Sequence, residues 1–480
     1  MKKLYLMYPQ KISKIAPEIY GHFTEHIGGV IYDGIWVGLD SDIPNIKGFR
    51  KEIIEKLRAI KAPVIRWPGG CFAETYDWRD GIGPERPVRI NWWRNWDNKT
   101  EPNTVGTHEF MDFCEAVGAD AYFAANLTSV TPIHIRNWVD YCLYPRGSTT
   151  LALEREKNGH PEPFNIPYWG VGNENWGGGG NMTPEYYANE YHRFHTVMEN
   201  AASKAQYFIC GENATDYNWT HVIAENLSKR GTTNGFAMHY YCGRAGDPLT
   251  FTKEEWTQQL QQAAQMETII KRNWNIICAH DVQNQLKLVI DEWGCWHPDG
   301  SGPSKGGNLF EQQSTMRDAM VTALTLNIFN NHCEKIKMAN VAQLVNNLHA
   351  LFLSCGEHCI TTPTYHVFDM YKEHQGADAI GVYVTENDEF ENALSVSASV
   401  KDNKTLVTIG NLSCTEDAQI TLEGVGMQIP ETAEATLLCH EDMHAHNTFD
   451  APNTVTPVSV RLDLTKPITI PKAAILAIRF

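Results

Sequence analysis

Eight short apolar runs recur along residues 18–370, and helical patterns separate most of them. Each run has about the length of one strand, and several end in a polar residue followed by glycine or proline. Strands that alternate with helices favour parallel βαβ units, and eight such units close a barrel. The sequence therefore predicts an α/β fold, a (β/α)8 TIM barrel over residues 18–370. The runs lie at residues 18–26, 64–70, 121–126, 168–174, 207–213, 235–241, 286–293 and 337–346.

The pattern changes after about residue 371. Apolar residues then alternate with polar ones, as at Leu394 and Val396. This alternation, with Pro, Asn and Asp between the runs, is typical of antiparallel strands that bury one face. We expect residues 1–17, with one or two edge strands, and residues 371–480 to form a jelly-roll-like antiparallel β-sandwich. Because no flexible linker precedes it, the sandwich should pack tightly on the barrel.

Two of the apolar runs end in a glutamate. The stretch 168–180 begins with an apolar run, continues through Asn173 and Glu174, and ends in four consecutive glycines. The run 286–293 ends at Glu292 and is followed by glycine. The two glutamates lie 118 positions apart, which corresponds to about three βα units of roughly 30 residues each plus insertions. Since active sites of such barrels lie at the carboxyl ends of the strands, both acids should reach one barrel mouth.

Composition and missing motifs narrow the possible functions. The formal net charge of −17 argues against a nucleic-acid partner, because phosphate binding needs a basic surface. No stretch reaches the ~20 apolar residues of a membrane span, and the start does not resemble a signal peptide. Twelve cysteines without a CxxC pair indicate free thiols in a reducing, cytoplasmic compartment. Neither a phosphate-binding loop, a GxSxG elbow nor a convincing metal cluster occurs, so no cofactor and no metal are expected.

Carboxylates, amides, a phenol and tryptophans remain at the predicted strand ends, and this set suits glycoside hydrolysis. Breaking a glycosidic bond needs one acid that protonates the leaving oxygen and one carboxylate at the oxocarbenium-like carbon. The two glutamates therefore need opposite ionisation states, and Arg66 would lower the pKa of the ionised one. Tryptophans in one long loop would either stack on sugar faces or pack the loop onto the barrel. They are Trp92, Trp93 and Trp96.

Several motifs carry a resemblance to a known family. They are Gly21-His-Phe-Thr-Glu-His26, Arg66-Trp-Pro-Gly-Gly-Cys-Phe72, Trp78-Arg-Asp-Gly-Ile-Gly-Pro84, Gly170-Val-Gly-Asn-Glu174, His239-Tyr-Tyr241, Asp291-Glu-Trp293, Ala339-Asn-Val-Ala-Gln-Leu-Val345 and His446-Asn-Thr-Phe-Asp450. Through them the chain resembles glycoside hydrolase family 51, the retaining α-L-arabinofuranosidases of clan A, over nearly its whole length.

The resemblance implies roles for the site residues. Glu174 would be the general acid/base, and Glu292 the nucleophile that forms a covalent arabinosyl-enzyme. Arg66 would support the nucleophile together with His239 and Tyr241. The residues implied to hold the furanose hydroxyls are Glu25, Cys71, Asn173 and Gln343, and those that would line the entrance are Trp93 and Trp296.

Four of these residues have a structural alternative. Arg66 would form an ion pair at the edge of the core, and His239 would be a hydrogen-bonded buried histidine. Gln343 would cap a helix, and Cys71 would be a plain buried thiol.

The predicted function is an exo-acting, retaining α-L-arabinofuranosidase that releases terminal L-arabinofuranose from arabinoxylan- or arabinan-derived oligosaccharides. Retention predicts carboxyl groups about 5–5.5 Å apart. The rivals are an endo-acting β-glucanase or xylanase of the same clan and a non-catalytic carbohydrate-binding protein. The resemblance also implies a homo-oligomer, hexameric or dimer-based, with no membrane or nucleic-acid partner. The preferred linkage stays open.

Overall fold

The computed structural model describes residues 1–95, 99–230, 233–281, 283, 285–387 and 389–480, so Trp96 of the tryptophan-rich loop lies outside the described residues. In chain order, the strands are β1 (Lys2–Lys14), β2 (Gly21–Phe23), β3 (Asn45–Ile46), β4 (Phe49–Arg50), β5 (Val64–Trp67), β6 (Arg89–Ile90), β7 (Thr100–Glu101), β8 (Asp120–Ala125), β9 (Tyr168–Val171), β10 (Gln206–Ile209), β11 (Gly235–Gly243), β12 (Leu288–Trp296), β13 (Ile336–Ala342), β14 (Phe352–Cys355), β15 (His358–Thr361), β16 (Asp378–Val384), β17 (Leu394–Lys401), β18 (Lys404–Asn411), β19 (Ala418–Val425), β20 (Thr432–Leu438), β21 (Val458–Asp463), β22 (Ile468–Ile470) and β23 (Ile475–Arg479). The helices are α1 (Lys51–Ala59), α2 (Thr107–Val117), α3 (Pro132–Leu143), α4 (Thr150–Lys157), α5 (Pro184–Ala201), α6 (Tyr217–Arg230), α7 (Lys253–His280), α8 (Met316–Asn331) and α9 (Pro363–Tyr371).

Eight strands close a barrel in the order β2, β5, β8, β9, β10, β11, β12 and β13, and every neighbouring pair runs parallel. Each of the eight apolar runs contributes one of these strands, which confirms the predicted barrel. Six strands send one buried side chain each into a common cluster, so the barrel interior is packed rather than hollow. The cluster consists of Val64, Tyr122, Tyr168, Phe208, Val289 and Met338.

Strand β1 and strands β16 to β23 form one nine-stranded sheet in the order β21, β20, β23, β18, β17, β16, β1, β19, β22. This C-terminal sheet domain includes the N-terminal strand, as predicted. However, β1 is not an edge strand, because it pairs with β16 on one side and β19 on the other. The pair β1–β19 is parallel, whereas the sequence predicted antiparallel strands throughout. Alternation shows which face of a strand is buried, but not the direction of its neighbours.

Helix α8 joins the two parts of the molecule. Its asparagine side chains donate to β17: Asn327 to Ser395 O at 3.0 Å and Asn331 to Val396 O at 2.8 Å. Trp256 Nε1 of α7 donates to Leu412 O at 2.9 Å. These contacts agree with the expected tight packing, because buried polar groups that find partners across an interface fix its geometry.

Two further expectations concern the thiols and membrane spans. All twelve cysteines are described, and each has a free thiol. Within the described ranges, no helix is long and apolar enough to cross a membrane.

Candidate active site

The two glutamates of the predicted pair lie side by side at the carboxyl end of the barrel. Glu174 follows β9, and Glu292 lies in β12 beside His239 of β11, its partner in the strand register. One carboxylate oxygen of Glu174, one ring nitrogen of His239 and one carboxylate oxygen of Glu292 lie within 4.8 Å of one another. Two acids from distant parts of the chain therefore face the same point.

Both carboxylate oxygens of Glu292 accept strong hydrogen bonds. Arg66 Nη1 donates to Oε1 at 2.8 Å, and Tyr241 Oη donates to Oε2 at 2.7 Å. Burial raises the pKa of Glu292 and the charge of Glu174 raises it further, while His239 and Arg66 lower it. Burial opposes the charge on Arg66, but Asp291 and Glu292 outweigh that effect and raise the pKa of its guanidinium. Arg66 is thus ion-paired, both with Asp291 at 3.6 Å and, more closely, with the candidate nucleophile Glu292 at 2.8 Å.

Glu174 is held by His239 and Cys71. His239 Nδ1 lies 2.8 Å from Glu174 Oε1, and the Cys71 thiol donates to Oε2 at 3.3 Å. Burial raises the pKa of Glu174, but the hydrogen bond and charge of His239 outweigh it and bring that pKa below its usual value. Burial also opposes the charge on His239, yet Glu292 and Asp291 raise the pKa of the imidazole to about 10.

The pKa of Glu292 is thus raised overall and that of Glu174 is lowered, the reverse of the expected pattern, in which Glu174 keeps its proton and Glu292 is ionised. With its pKa raised to about 10, His239 carries a proton at neutral pH. The sequence-based expectation placed His239 beside Glu292, but its Nδ1 lies closer to Glu174, at 2.8 Å, than to Glu292, at 3.5 Å. The proton is therefore held one hydrogen bond away from Glu174.

Glu25, Gln343 and Asn173 lie around the same end of the barrel. Gln343 Nε2 donates to Glu25 Oε2 at 2.8 Å, so this glutamine binds a carboxylate instead of capping a helix. Burial, with the charge of Glu292, raises the pKa of Glu25 to about 7. Asn173 Oδ1 accepts from Arg66 Nη2 at 2.5 Å.

The two tryptophans predicted to line the entrance lie at the rim. Trp296 packs edge-on against Tyr241, with ring centroids 5.3 Å apart. Trp93 lies across Gly178 from Cys71, since a Cβ at Gly178 would be 2.6 Å from Cys71 Sγ and 4.0 Å from the Trp93 ring. The structure thus gathers every predicted site residue at one end of the barrel.

Sequence reasoning missed Asp291 and Tyr122. Asp291 accepts from Tyr122 Oη at 2.8 Å, and its other oxygen lies 3.2 Å from His239 Nε2. It is buried, and the charges of Arg66 and His239 outweigh the effect of burial and lower its pKa. The Asp291–Glu292 doublet was a visible signal, but nothing in the sequence indicated Tyr122.

Comparisons with known proteins show the family of the chain. The family described as α-L-arabinofuranosidase 1 domain matches residues 56–259, and the α-L-arabinofuranosidase C-terminal domain family matches residues 291–473. A protein of Bacteroides ovatus named intracellular exo-α-L-arabinofuranosidase is 37% identical over 458 residues, 92% of this chain and 88% of that protein.

Solved structures give the same result. The family 51 arabinofuranosidase of Xanthomonas axonopodis pv. citri is 36% identical, with a TM-score of 0.93 and full coverage of both chains. The family 51 α-L-arabinofuranosidase of Thermotoga petrophila is 26% identical, with a TM-score of 0.87 and full coverage of both chains. The fold and the paired glutamates define a TIM-barrel glycoside hydrolase. More narrowly, the chain belongs to glycoside hydrolase family 51, the α-L-arabinofuranosidases.

Proposed function

We propose that this chain is an exo-acting, retaining α-L-arabinofuranosidase that removes terminal L-arabinofuranose from arabinoxylan- or arabinan-derived oligosaccharides. The observation that carries this is the approach of Glu174 and Glu292, because one carboxylate oxygen of each lies within 4.8 Å of the other. Carboxyl groups about 5–5.5 Å apart are typical of retaining glycosidases, whereas inverting enzymes hold them roughly 6.5–9.5 Å apart to admit a water molecule. The short separation supports a double displacement.

In the first step, Glu292 attacks the anomeric carbon, and the bond from that carbon to the leaving oxygen breaks. The leaving oxygen takes a proton from Glu174, and His239 Nδ1 supplies that proton along its 2.8 Å hydrogen bond. In the second step, Glu174 takes a proton from water and returns it to His239 Nδ1, while the water oxygen attacks the same carbon and releases Glu292. Arg66 and Tyr241 stabilise the Glu292 carboxylate that forms again.

The depth of the site supports removal of a terminal unit. Glu25, Asn173 and Gln343, which offer carboxylate and amide groups to the sugar hydroxyls, are all buried. The side chain of Glu174 is 19% exposed, compared with 7% for Glu292. The acid/base is therefore the more open of the pair, on the side where the leaving sugar departs. Buried polar groups at the inner end favour removal of a terminal sugar, whereas cutting inside a polymer needs a cleft open at both ends.

The other proposed contacts to the sugar are inferred from where each side chain lies relative to the two glutamates. Cys71 lies against Glu174 and offers a thiol, which is a weaker hydrogen-bond partner than an amide. His239 and Tyr241 lie against the nucleophile, and Trp93 and Trp296 would cover the departing sugar at the entrance.

The enzyme would act inside the cell on short oligosaccharides and as a homo-oligomer, hexameric or dimer-based. The free state of all twelve thiols and the intracellular name of the Bacteroides ovatus relative support the location. The oligomer rests on the family resemblance and is tested by light scattering after size-exclusion chromatography.

Two assays run side by side test the activity. We expect rapid hydrolysis of nitrophenyl α-L-arabinofuranoside, α-arabinose as the first product by NMR, and an unchanged viscosity of arabinoxylan. A fast loss of viscosity without free arabinose would favour an endo-acting enzyme, and no turnover at all would favour a binding protein.

Variants of the two glutamates test their roles. Glu292→Ala should abolish turnover. Glu174→Ala should keep activity on substrates with good leaving groups, and azide should accelerate it by replacing the activated water. Unaltered turnover in either variant would overturn the assignment.

A further inference from the structure

Glu74 is a buried carboxylate that takes no direct part in the double displacement. It lies in the short 3-10 turn Cys71–Thr75, behind the candidate acid/base, and only 1% of it is exposed. Both of its oxygens are fully used. Oε1 accepts from Asn173 N and Asn175 Nδ2, both at 2.8 Å. Oε2 accepts from the backbone N–H groups of Leu127 at 2.6 Å and Thr128 at 2.8 Å.

The four donors come from two different strand ends. Leu127 and Thr128 follow β8, while Asn173 and Asn175 follow β9. Glu74 itself follows β5, so one carboxylate ties together the ends of three neighbouring barrel strands. Burial raises the pKa of Glu74, and the N–H bonds act in the opposite direction. All four contacts are N–H donors, which fits an ionised carboxylate, because a protonated oxygen would point its hydrogen at one of them.

The two asparagines bound by Glu74 are the residues on either side of Glu174. Glu174 has a φ of +44°, in the left-handed region that side chains other than glycine rarely adopt. Such a conformation persists only where the surroundings fix it. Glu74 fixes it from both sides, through the backbone N–H before Glu174 and the side chain after it. The turn is closed further by Gly177 N, which donates to Glu174 O at 2.7 Å.

We propose that Glu74 is the positioning residue for the acid/base: it holds Glu174 in its left-handed conformation and so aims its carboxylate at the leaving oxygen. This inference rests on the proposed function. Because Glu74 acts through the main chain, its loss should impair the steps that need Glu174 and spare those that do not. General acid catalysis contributes roughly 10²–10⁴-fold, so partial misplacement of the acid should cost less than its complete removal.

The test is Glu74→Gln, which keeps the shape but turns an N–H group toward two of the four donors. For an alkyl or sugar leaving group, kcat/KM should fall roughly tenfold to hundredfold. For dinitrophenyl arabinofuranoside, whose leaving group needs no proton, kcat/KM should stay nearly unchanged. Azide should raise kcat on the dinitrophenyl substrate, as is also expected for Glu174→Ala. Glu74→Asp, which keeps the charge, should lie between Glu74→Gln and the unaltered protein.

Glu101→Gln is the matched control. Glu101 is an equally buried carboxylate that accepts from Asn91 Nδ2 at 3.2 Å and Asn103 N at 3.0 Å, and none of its partners belongs to the Glu174 turn. Its variant should lower Tm while leaving the ratio of kcat/KM between the two leaving groups unchanged. If Glu74→Gln folds poorly, Asn175→Ala removes one of the four donors and should show a weaker form of the same selective loss.

Two results distinguish a failure of the positioning role of Glu74 from a failure of the proposed function. If Glu74→Gln lowers kcat/KM equally for both leaving groups and azide has no effect, Glu74 is a structural residue only. If Glu174→Ala itself lacks the leaving-group and azide pattern, the proposed function fails, whatever Glu74 does. A selective loss in both Glu174→Ala and Glu74→Gln supports the positioning role.

Discussion

Tyr241 donates its hydroxyl to Glu292 Oε2 at 2.7 Å, and Tyr241→Phe removes this bond while keeping the ring. A hydrogen bond to a charged group contributes roughly 1.5–3 kcal/mol. One pKa unit corresponds to about 1.4 kcal/mol, so the loss should raise the pKa of Glu292 by roughly 1–2 units. Since Glu292 reacts as a carboxylate, the acidic limb of kcat/KM should move to higher pH by the same amount.

The measurement is the pH dependence of kcat/KM on nitrophenyl arabinofuranoside for Tyr241→Phe and Tyr240→Phe. Tyr240 is the neighbouring residue, and its hydroxyl donates to Gln262 O at 2.6 Å, away from the site. Tyr240→Phe should keep the acidic limb in place, even where it lowers Tm. An acidic limb that does not move in Tyr241→Phe, or that moves equally in both variants, would refute the reasoning.

Two further predictions follow from other contacts. Gly178→Ala places a Cβ 2.6 Å from Cys71 Sγ, whereas the nearest atom to a Cβ at Gly177 is 3.9 Å away. Gly178→Ala should therefore displace the thiol from Glu174 and lower kcat roughly tenfold to hundredfold, while Gly177→Ala should not, in the same steady-state assay. Burial raises the pKa of Asp318, but the charge and hydrogen bond of His297 outweigh it and hold that pKa well below its usual range. The stability from this pair should be present above the unfolded pKa of about 3.9 and be lost as pH falls below it. The free energy of unfolding in urea should thus fall less steeply with acid in Asp318→Asn, and an identical slope would contradict the assignment.

Much of the barrel could be predicted because its local signals are strong. Buried parallel strands are continuous apolar runs, and the run at residues 168–174 ends in the candidate acid Glu174. The other candidate, Glu292, was expected at a strand end but lies inside β12, which continues to Trp296. The helix Thr107–Val117 has a stop signal that is visible in the sequence, since Gly118 provides the left-handed residue that terminates it, at φ +84°. An element can be predicted from the sequence when its apolar residues are strongly periodic and a clear stop signal marks its end.

Elements without such signals were missed. Helix α4 has eight residues and buries only Ala152 and Arg155, so it has no apolar stripe to detect. The contact of Tyr122 with Asp291 joins residues 169 positions apart, and no local pattern encodes it. The ionisation of Glu174 depends on how deeply the site is buried and on a histidine from another strand, and both arise only in the folded chain.

The position of β1 inside the sheet ties the two ends of the chain together. As the chain is synthesised, the strand made first must wait for β16 and β19, which lie more than 360 residues further on, before it has hydrogen-bonding neighbours. Long-range pairing of this kind is slow, and the unpaired strand remains open to wrong partners in the meantime. Because β1 ends at Lys14 and β2 begins at Gly21, the sheet is also anchored close to Phe23, whose ring lies 4.6 Å from the Arg66 guanidinium. Loosening β1 would therefore displace the Arg66 guanidinium, which stabilises the Glu292 carboxylate. Damage to the distant sheet would thus lower turnover as well as stability.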